Sequence, residues 1–367
     1  MENKYATVHY HNYLQLESLL GAQRLRSEEV SATPAHDEML FIITHQIYEL
    51  WFKQILHELE DVVERFGSDV VDERSIGVVV SRLNRIGEIQ QLLIQQIHIL
   101  ETMTALDFLD FRNYLFPASG FQSFQFRKIE VLLGLSDDQR ITYNQKDYKK
   151  EFSLAQQQEL NEIRSTGTLF ERIEGWLERT PFLQFGDFQF LEHYKEAVDR
   201  MMQREEEAIR DTPLLGEAAK QIRLQILRKT DTYFQSIFDP AYHQEMREAG
   251  TVRLSYKAMV AALLIHLYRD EPILHLPFAL LNLLTSIDEN LATWRYRHAQ
   301  MVLRMLGRKM GTGGSSGHDY LQRTAAQHHI FGDLFQVSTL LIPRSELPPL
   351  PNAIQKELGF YFSREDR

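Results

Sequence analysis

HDEMLFIITHQIYELWFKQILHELEDVVERF, residues 36–66, decides the fold class. Phe41, His45, Tyr48, Phe52 and Ile55 recur at spacings of 4, 3, 4 and 3. That repeat puts side chains on one stripe of an α-helix, where a strand would alternate every second residue. Ile43, Ile47 and Leu50 form a second apolar face. The segment therefore reads as one long helix, apolar on two faces and central to the fold.

The same period continues outward in both directions. VVSRLNRIGEIQQLLIQQIHILETM (79–103) reads as a second long helix, and LDFLDFRNYLFPASGFQSFQFRKIEVLLG (106–134) as two helices broken at PASG (117–120). AMVAALLIHLY (258–268) is well short of the ~20 apolar residues of a membrane span, so it reads as a buried helix. From DDQRITYNQKDYKKEFSLAQQQ (137–158) the chain turns polar and runs through shorter amphipathic helices. We expect a main helical domain of residues 1–144 and 241–367 with a smaller helical insert at 145–240. In SIDENLATWRYRHAQMVLRMLG (286–307), Ser286 with Glu289 fits a capping box and Gly307 a stop. Its stripe is Ile287, Leu291, Trp294, His298, Val302 and Met305, with a histidine where leucine is expected. The Pro-rich LIPRSELPPLPNAIQ (341–355) reads as an extended packing arm. No segment alternates convincingly as a strand, and the fold class is all-α, a helical bundle.

Composition narrows the function. A formal charge of −11 over 367 residues argues against a surface built for nucleic acid. The absence of cysteine excludes disulfides, thiolate-ligated haem, cysteine zinc sites and cysteine nucleophiles. It is compatible with the cytoplasm, the compartment we expect. MENKYATVHYHNYLQLESLL (1–20) lacks the basic start and apolar block of a signal peptide.

Three features carry chemistry. The first is GTGGSSG (311–317), which holds four of the chain's 18 glycines. It has no Walker lysine, and Ser316 stands where a dinucleotide fingerprint needs glycine. It is either an interhelical turn or a close-approach site loop whose amides and Thr312, Ser315 and Ser316 hydroxyls suit a carboxylate. The second is the pair His45 and His298. No HExxH or ExxH spacing occurs among the 14 histidines, but these two lie on the apolar stripes of long helices. Each is either a hydrogen-bonded core histidine or one of two imidazoles flanking a haem, in a setting rich in Phe and Trp. The third is Arg112 among Phe108, Phe111 and Tyr114, suited to a bidentate carboxylate pair or to a neighbour such as Asp107 or Asp110.

Taken together, YHNYLQLESLLGAQ (10–23), HDEMLFIITHQIYELWFKQILHEL (36–59), ALDFLDFRNYLFPASGFQSFQFRKIE (105–130), YRDEP (268–272) and WRYRHAQMVLRMLGRKMGTGGSSG (294–317) closely resemble the tryptophan 2,3-dioxygenase family over nearly the whole chain. The resemblance implies an all-helical fold, a haem b cofactor with ferrous iron in the active form, and a homotetramer built as a dimer of dimers. It implies the cleavage of the indole C2–C3 bond of L-tryptophan by O2 to N-formyl-L-kynurenine. Carried over by motif, His298 is the expected iron ligand. His45 is expected to accept from the indole N–H, Phe41 and Phe108 to pack on the indole, and Arg112 to pair with the substrate carboxylate. Thr312 is expected at the ammonium and carboxylate ends, Tyr10 and Tyr13 in a neighbouring subunit's pocket, and Ser119, Gly120 and Trp294 beside the haem. GTGGSSG is then the loop that closes over the substrate.

Overall fold

The computed structural model describes residues 7–68, 71–141, 148–181, 183–185, 188–307, 309 and 317–359. It is a helical bundle. A short arm, α1 (Tyr10–Tyr13), α2 (Leu16–Leu20) and α3 (Arg26–Val30), leads into the long helices α4 (Glu38–Arg65) and α5 (Glu73–Leu100). Contacts from Asp61 to Arg82, Glu58 to Arg85 and Tyr48 to Leu93 run in opposite senses along the two, so α4 and α5 are antiparallel. Their interface is apolar: Leu59, Val62, Val79 and Leu83 are fully buried.

Next come α6 (Ala105–Arg112), two 3-10 turns at Asn113–Leu115 and Gly120–Gln122, and α7 (Phe124–Leu133). The break expected at PASG lies between those turns. Each start has a local cause. Thr104 and Asp107 form a reciprocal capping box on α6, Ser119 and Gln122 do so on the second turn, and Ser123 caps α7. Gly134 ends α7 at φ +112, and a Cβ there would sit 2.6 Å from the Phe170 Cβ, so both conformation and contact require glycine.

Then follow α8 (Leu154–Thr166), α9 (Leu169–Glu178), α10 (Phe190–Asp211), α11 (Glu217–Phe238) and α12 (Pro240–Glu248). A two-stranded antiparallel hairpin of Gln184–Phe185 with Phe188–Gln189 precedes α10. Two residues per strand leave no alternation to read, so periodicity does not announce this hairpin. Tyr194, Phe234 and Ile237 share a continuous core with Leu59 and Leu284.

The apolar run 258–268 lies in α13 (Tyr256–Leu267), whose residues from Ala258 to Ile265 are all buried. Then comes α14 (His275–Leu306), 32 residues and roughly 48 Å at ~1.5 Å per residue. It packs parallel to α5, with Gln90 donating to the Ile287 carbonyl and Glu101 pairing with Arg297. Here the capping-box reading of Ser286 fails, because α14 begins eleven residues earlier, at His275. Leu280, Leu281 and Leu284 are fully buried, and their packing carries the helix straight through Ser286. Pro277 falls in the first turn, where its missing N–H costs nothing. The end at Gly307 is as expected.

The chain closes with α15 (Gly317–Gln327), α16 (Gly332–Val337) and α17 (Asn352–Leu358). The Pro-rich stretch packs through Ile342, Leu350 and Ile354, in short helical turns joined by extended residues. A second expectation is corrected on α4. Its main stripe is buried at Tyr48, Phe52 and Ile55, but on the second apolar face Ile43 and Leu50 are 40% and 49% exposed, without cover among the described residues. Among the described residues no helix is long and apolar enough to cross a membrane.

Candidate active site

The α4 and α14 stripes share one design. Each begins or ends in the core and runs out into a single cavity of about 340 Å³. On α4, Phe41, His45, Tyr48 and Phe52 all line the cavity, Tyr48 and Phe52 being buried at its inner end. On α14, Ile287 and Leu291 are buried while Trp294, His298, Val302 and Met305 line it. α6 adds Phe108 and Arg112, and the turn after it adds Ser119 and Gly120. Residues far apart in sequence are thus brought into one wall by two helix repeats and one capped turn.

Phe41, Phe108 and Phe111 form an aromatic group with ring centroids 5.4–5.8 Å apart. The Phe41 ring also lies 4.1 Å from that of His45. The His45 Nδ1 is 2.7 Å from the Phe41 carbonyl one turn back. A carbonyl only accepts, so Nδ1 carries the proton and the neutral ring has its lone pair on Nε2. Removal from solvent lowers the His45 pKa, against the opposing pull of the Phe41 carbonyl and Glu49.

His298 is the second neutral imidazole. Desolvation, with the nearness of His45 adding to it, lowers its pKa to about 4. Its Nδ1 is buried without a hydrogen-bond partner among the described residues. Trp294 backs it at 5.4 Å between ring centroids and is itself packed on Phe126, Tyr48 and Phe52. A neutral imidazole on a cavity wall is the form that ligates a metal.

Part of the wall is charged, which the sequence reading missed. Glu130 accepts from Arg127 at 2.8 Å, Arg140 at 2.7 Å and Arg295 at 2.8 Å. Glu130 and Arg295 are 1% and 2% exposed, and the three guanidiniums hold the Glu130 carboxyl well below its usual range despite its burial. Three cations around one anion leave an excess of positive charge, and Arg127, Arg295 and the neighbouring Tyr320 all border the cavity. His328 also borders it. Its Nε2 accepts from the Ile141 N–H at 3.1 Å, and burial pushes its pKa down to about 3. One signal was available: Ile287, Leu291, Arg295 and Ala299 share a single buried row of α14, with arginine on an apolar row.

Other expected residues stand apart. Thr312 lies outside the described residues, as do Ser315 and Ser316; Leu306 and Gly317, which bracket that segment, both line the cavity. Tyr10 and Tyr13 sit on α1, 71% and 74% exposed, away from the cavity of their own chain. Asp107 is engaged in its capping box.

The cavity suits a large flat group with an acidic edge. Its wall is mostly apolar and holds several aromatic rings, the neutral imidazoles of His45 and His298 face it, and a buried positive excess borders it. A Cβ built on Gly120 meets no atom within 4 Å, so no protein atom demands glycine there and the bare backbone leaves room for a ligand. Iron porphyrin, with its carboxylates, fits this donor set.

The tryptophan 2,3-dioxygenase family profile matches residues 2–341. The tryptophan 2,3-dioxygenase of Bdellovibrio bacteriovorus is 51% identical over 359 residues, covering 98% of this chain and all of that protein. Those of Alteromonas mediterranea and Dictyostelium discoideum are 44% and 46% identical, covering 98% and 97% of this chain and 99% and 89% of theirs. The chain belongs to the tryptophan 2,3-dioxygenase family.

Proposed function

We propose that this chain is a haem-dependent dioxygenase that opens the indole ring of L-tryptophan with O2, giving N-formyl-L-kynurenine. The observation that carries this reading is the convergence of Phe41, His45, Phe108 and Arg112 with His298 on one cavity. Haem b, ferrous in the active form, would supply the oxygen-binding and redox chemistry.

The chain's own residues bind and orient. His298 would ligate the iron, with Trp294 behind it. Arg127, Arg295 and Tyr320 would hold the haem carboxylates, and Ser119 and Gly120 would border its edge. Phe41 and Phe108 would pack against the indole and exclude water from it. The proton of the His45 Nδ1 is committed to the Phe41 carbonyl, so its Nε2 is free to accept from the indole N–H. His45 thereby orients the ring and need not remove a proton. Arg112 would pair with the substrate carboxylate, and Thr312 with its ammonium and carboxylate ends. Fixing both ends of the amino acid converts binding energy into alignment of C2 and C3 with oxygen.

Tyr10 and Tyr13, exposed on the arm, would complete a neighbouring subunit's pocket in a homotetramer, a dimer of dimers. The uncovered Ile43 and Leu50 face supports burial in such an assembly. The cysteine-free chain is compatible with a cytoplasmic enzyme.

The test is turnover of the reduced, haem-loaded protein with L-tryptophan and ¹⁸O2. Formylkynurenine carrying two labelled oxygens is expected. A product with one labelled oxygen, or ligand binding without product, would refute the assignment.

A further inference from the structure

Glu38, the first residue of α4, is 1% exposed and both its oxygens are used. One accepts from the Arg26 N–H at 2.8 Å and the other from the Ser27 N–H at 2.9 Å. Ser27 is fully buried, and its Oγ accepts from the Ala35 N–H at 2.9 Å. A carboxylate is costly to bury unless its lone pairs are satisfied. Here they are satisfied by the backbone of α3, so α3 is stapled to the start of the helix that carries Phe41 and His45. Glu38 precedes those residues by three and seven positions, on the same helix face.

α3 in turn packs on the 3-10 turn Asn113–Leu115, which begins directly after Arg112. α6 is fixed at its N-terminus by its own Thr104–Asp107 capping box. Its other end, the one carrying Arg112, leads into the turn against which α3 is held. One buried carboxylate therefore ties the helix bearing the imidazole to the segment bearing the guanidinium.

We propose that Glu38 is a positioning residue for Arg112: by stapling α3 to α4, it holds α3 against the turn after Arg112 and so fixes the guanidinium in the cavity wall. This rests on the assignment of Arg112 to the substrate carboxylate.

The experiment is equilibrium binding of L-tryptophan and of tryptamine, which lacks the carboxylate, to haem-loaded protein, read from the haem absorption. Wild type, Arg112→Ala, Glu38→Gln and the double variant are compared, with Glu38→Asp, whose shorter side chain strains the two backbone bonds to Arg26 and Ser27, as a milder cut in the same staple. Glu38→Gln is expected to weaken L-tryptophan binding about threefold to thirtyfold, the range for coupled neighbours, and tryptamine binding by less than about twofold. In the Arg112→Ala background it is expected to add nothing. Equal loss for both ligands, or multiplicative loss in the double variant, would show a general structural role and overturn the proposal. If Glu38→Gln does not fold, Glu38→Asp carries the test, and a loss that does not select for L-tryptophan overturns it. Should Arg112→Ala itself weaken both ligands equally, the carboxylate assignment fails first, a result distinct from failure of the staple.

Discussion

Two parts of the cavity wall are built on opposite principles. The aromatic part, with Phe41, Phe108, Trp294 and the two imidazoles, keeps those imidazoles neutral through desolvation. The charged part, Glu130 with Arg127, Arg140 and Arg295, holds the Glu130 carboxylate ionised through close pairing inside the protein. The difference teaches how one cavity can serve a flat, uncharged ring system and an anionic edge together. Dry aromatic walls favour planar rings. A buried cation cluster is formed before any ligand arrives, so its desolvation is already borne by the fold.

Replacing single residues can break this contrast. The largest effect is expected at Glu130. Glu130→Gln leaves three guanidiniums around a neutral amide and should destabilise the chain by about 3–5 kcal/mol in urea unfolding. A change below about 1 kcal/mol, the scale of a surface pair, would show that water reaches the cluster. Next comes Arg112→Ala, which removes the cation from the aromatic part. The KM for L-tryptophan should rise about 10- to 100-fold, the worth of a charge-assisted pair, with haem content unchanged. Wild-type kinetics in a fully haem-loaded variant would remove Arg112 from the substrate site.

A pH experiment sharpens the contrast further. The folded pKa of His328 lies near 3, against about 6.5 unfolded. Between those values the unfolded chain binds the extra proton, so stability falls as pH drops from about 6.5 toward 3. By pH 5 the loss from this residue is about 2 kcal/mol. His328→Gln should shrink the difference in unfolding free energy between pH 7 and pH 5 by that amount, and an unchanged difference would show that His328 charges freely. The smallest effect is expected at the buried end of the α4 stripe. The Tyr48 hydroxyl donates to the Leu93 carbonyl at 2.7 Å, so Tyr48→Phe should lower stability by about 1 kcal/mol in thermal unfolding while leaving the KM alone.

The aromatic part was legible in the sequence and the charged part was not. Period 3.6 announces a stripe, and a histidine on it is conspicuous, so His45 and His298 stood out from the other twelve of the 14 histidines. Arg112 stood out by its aromatic setting, and motif carry-over then added Ser119 and Gly120; the fold brings all three to the same cavity. Glu130 is different, because its three arginines come from α7, the following loop and α14, and only tertiary packing joins them. Arg295 carried a local sign, its place on a buried row, but an arginine between Trp294 and Tyr296 also suits a solvated face. The start of α14 was misjudged because a local capping signal at Ser286 competes with the burial of Leu280, Leu281 and Leu284, and burial dominates. The second face of α4 was correctly apolar, but periodicity does not say what covers a face.

The most direct test of the central claim is the absorption spectrum of the ferrous His298→Gly protein with and without added imidazole. The account predicts that the variant loses the wild-type ferrous spectrum, and that imidazole entering the vacated space restores it. A His298→Gly protein whose ferrous spectrum matches wild type without imidazole would contradict the assignment of His298, and with it the division of the cavity into a ligating and an orienting imidazole.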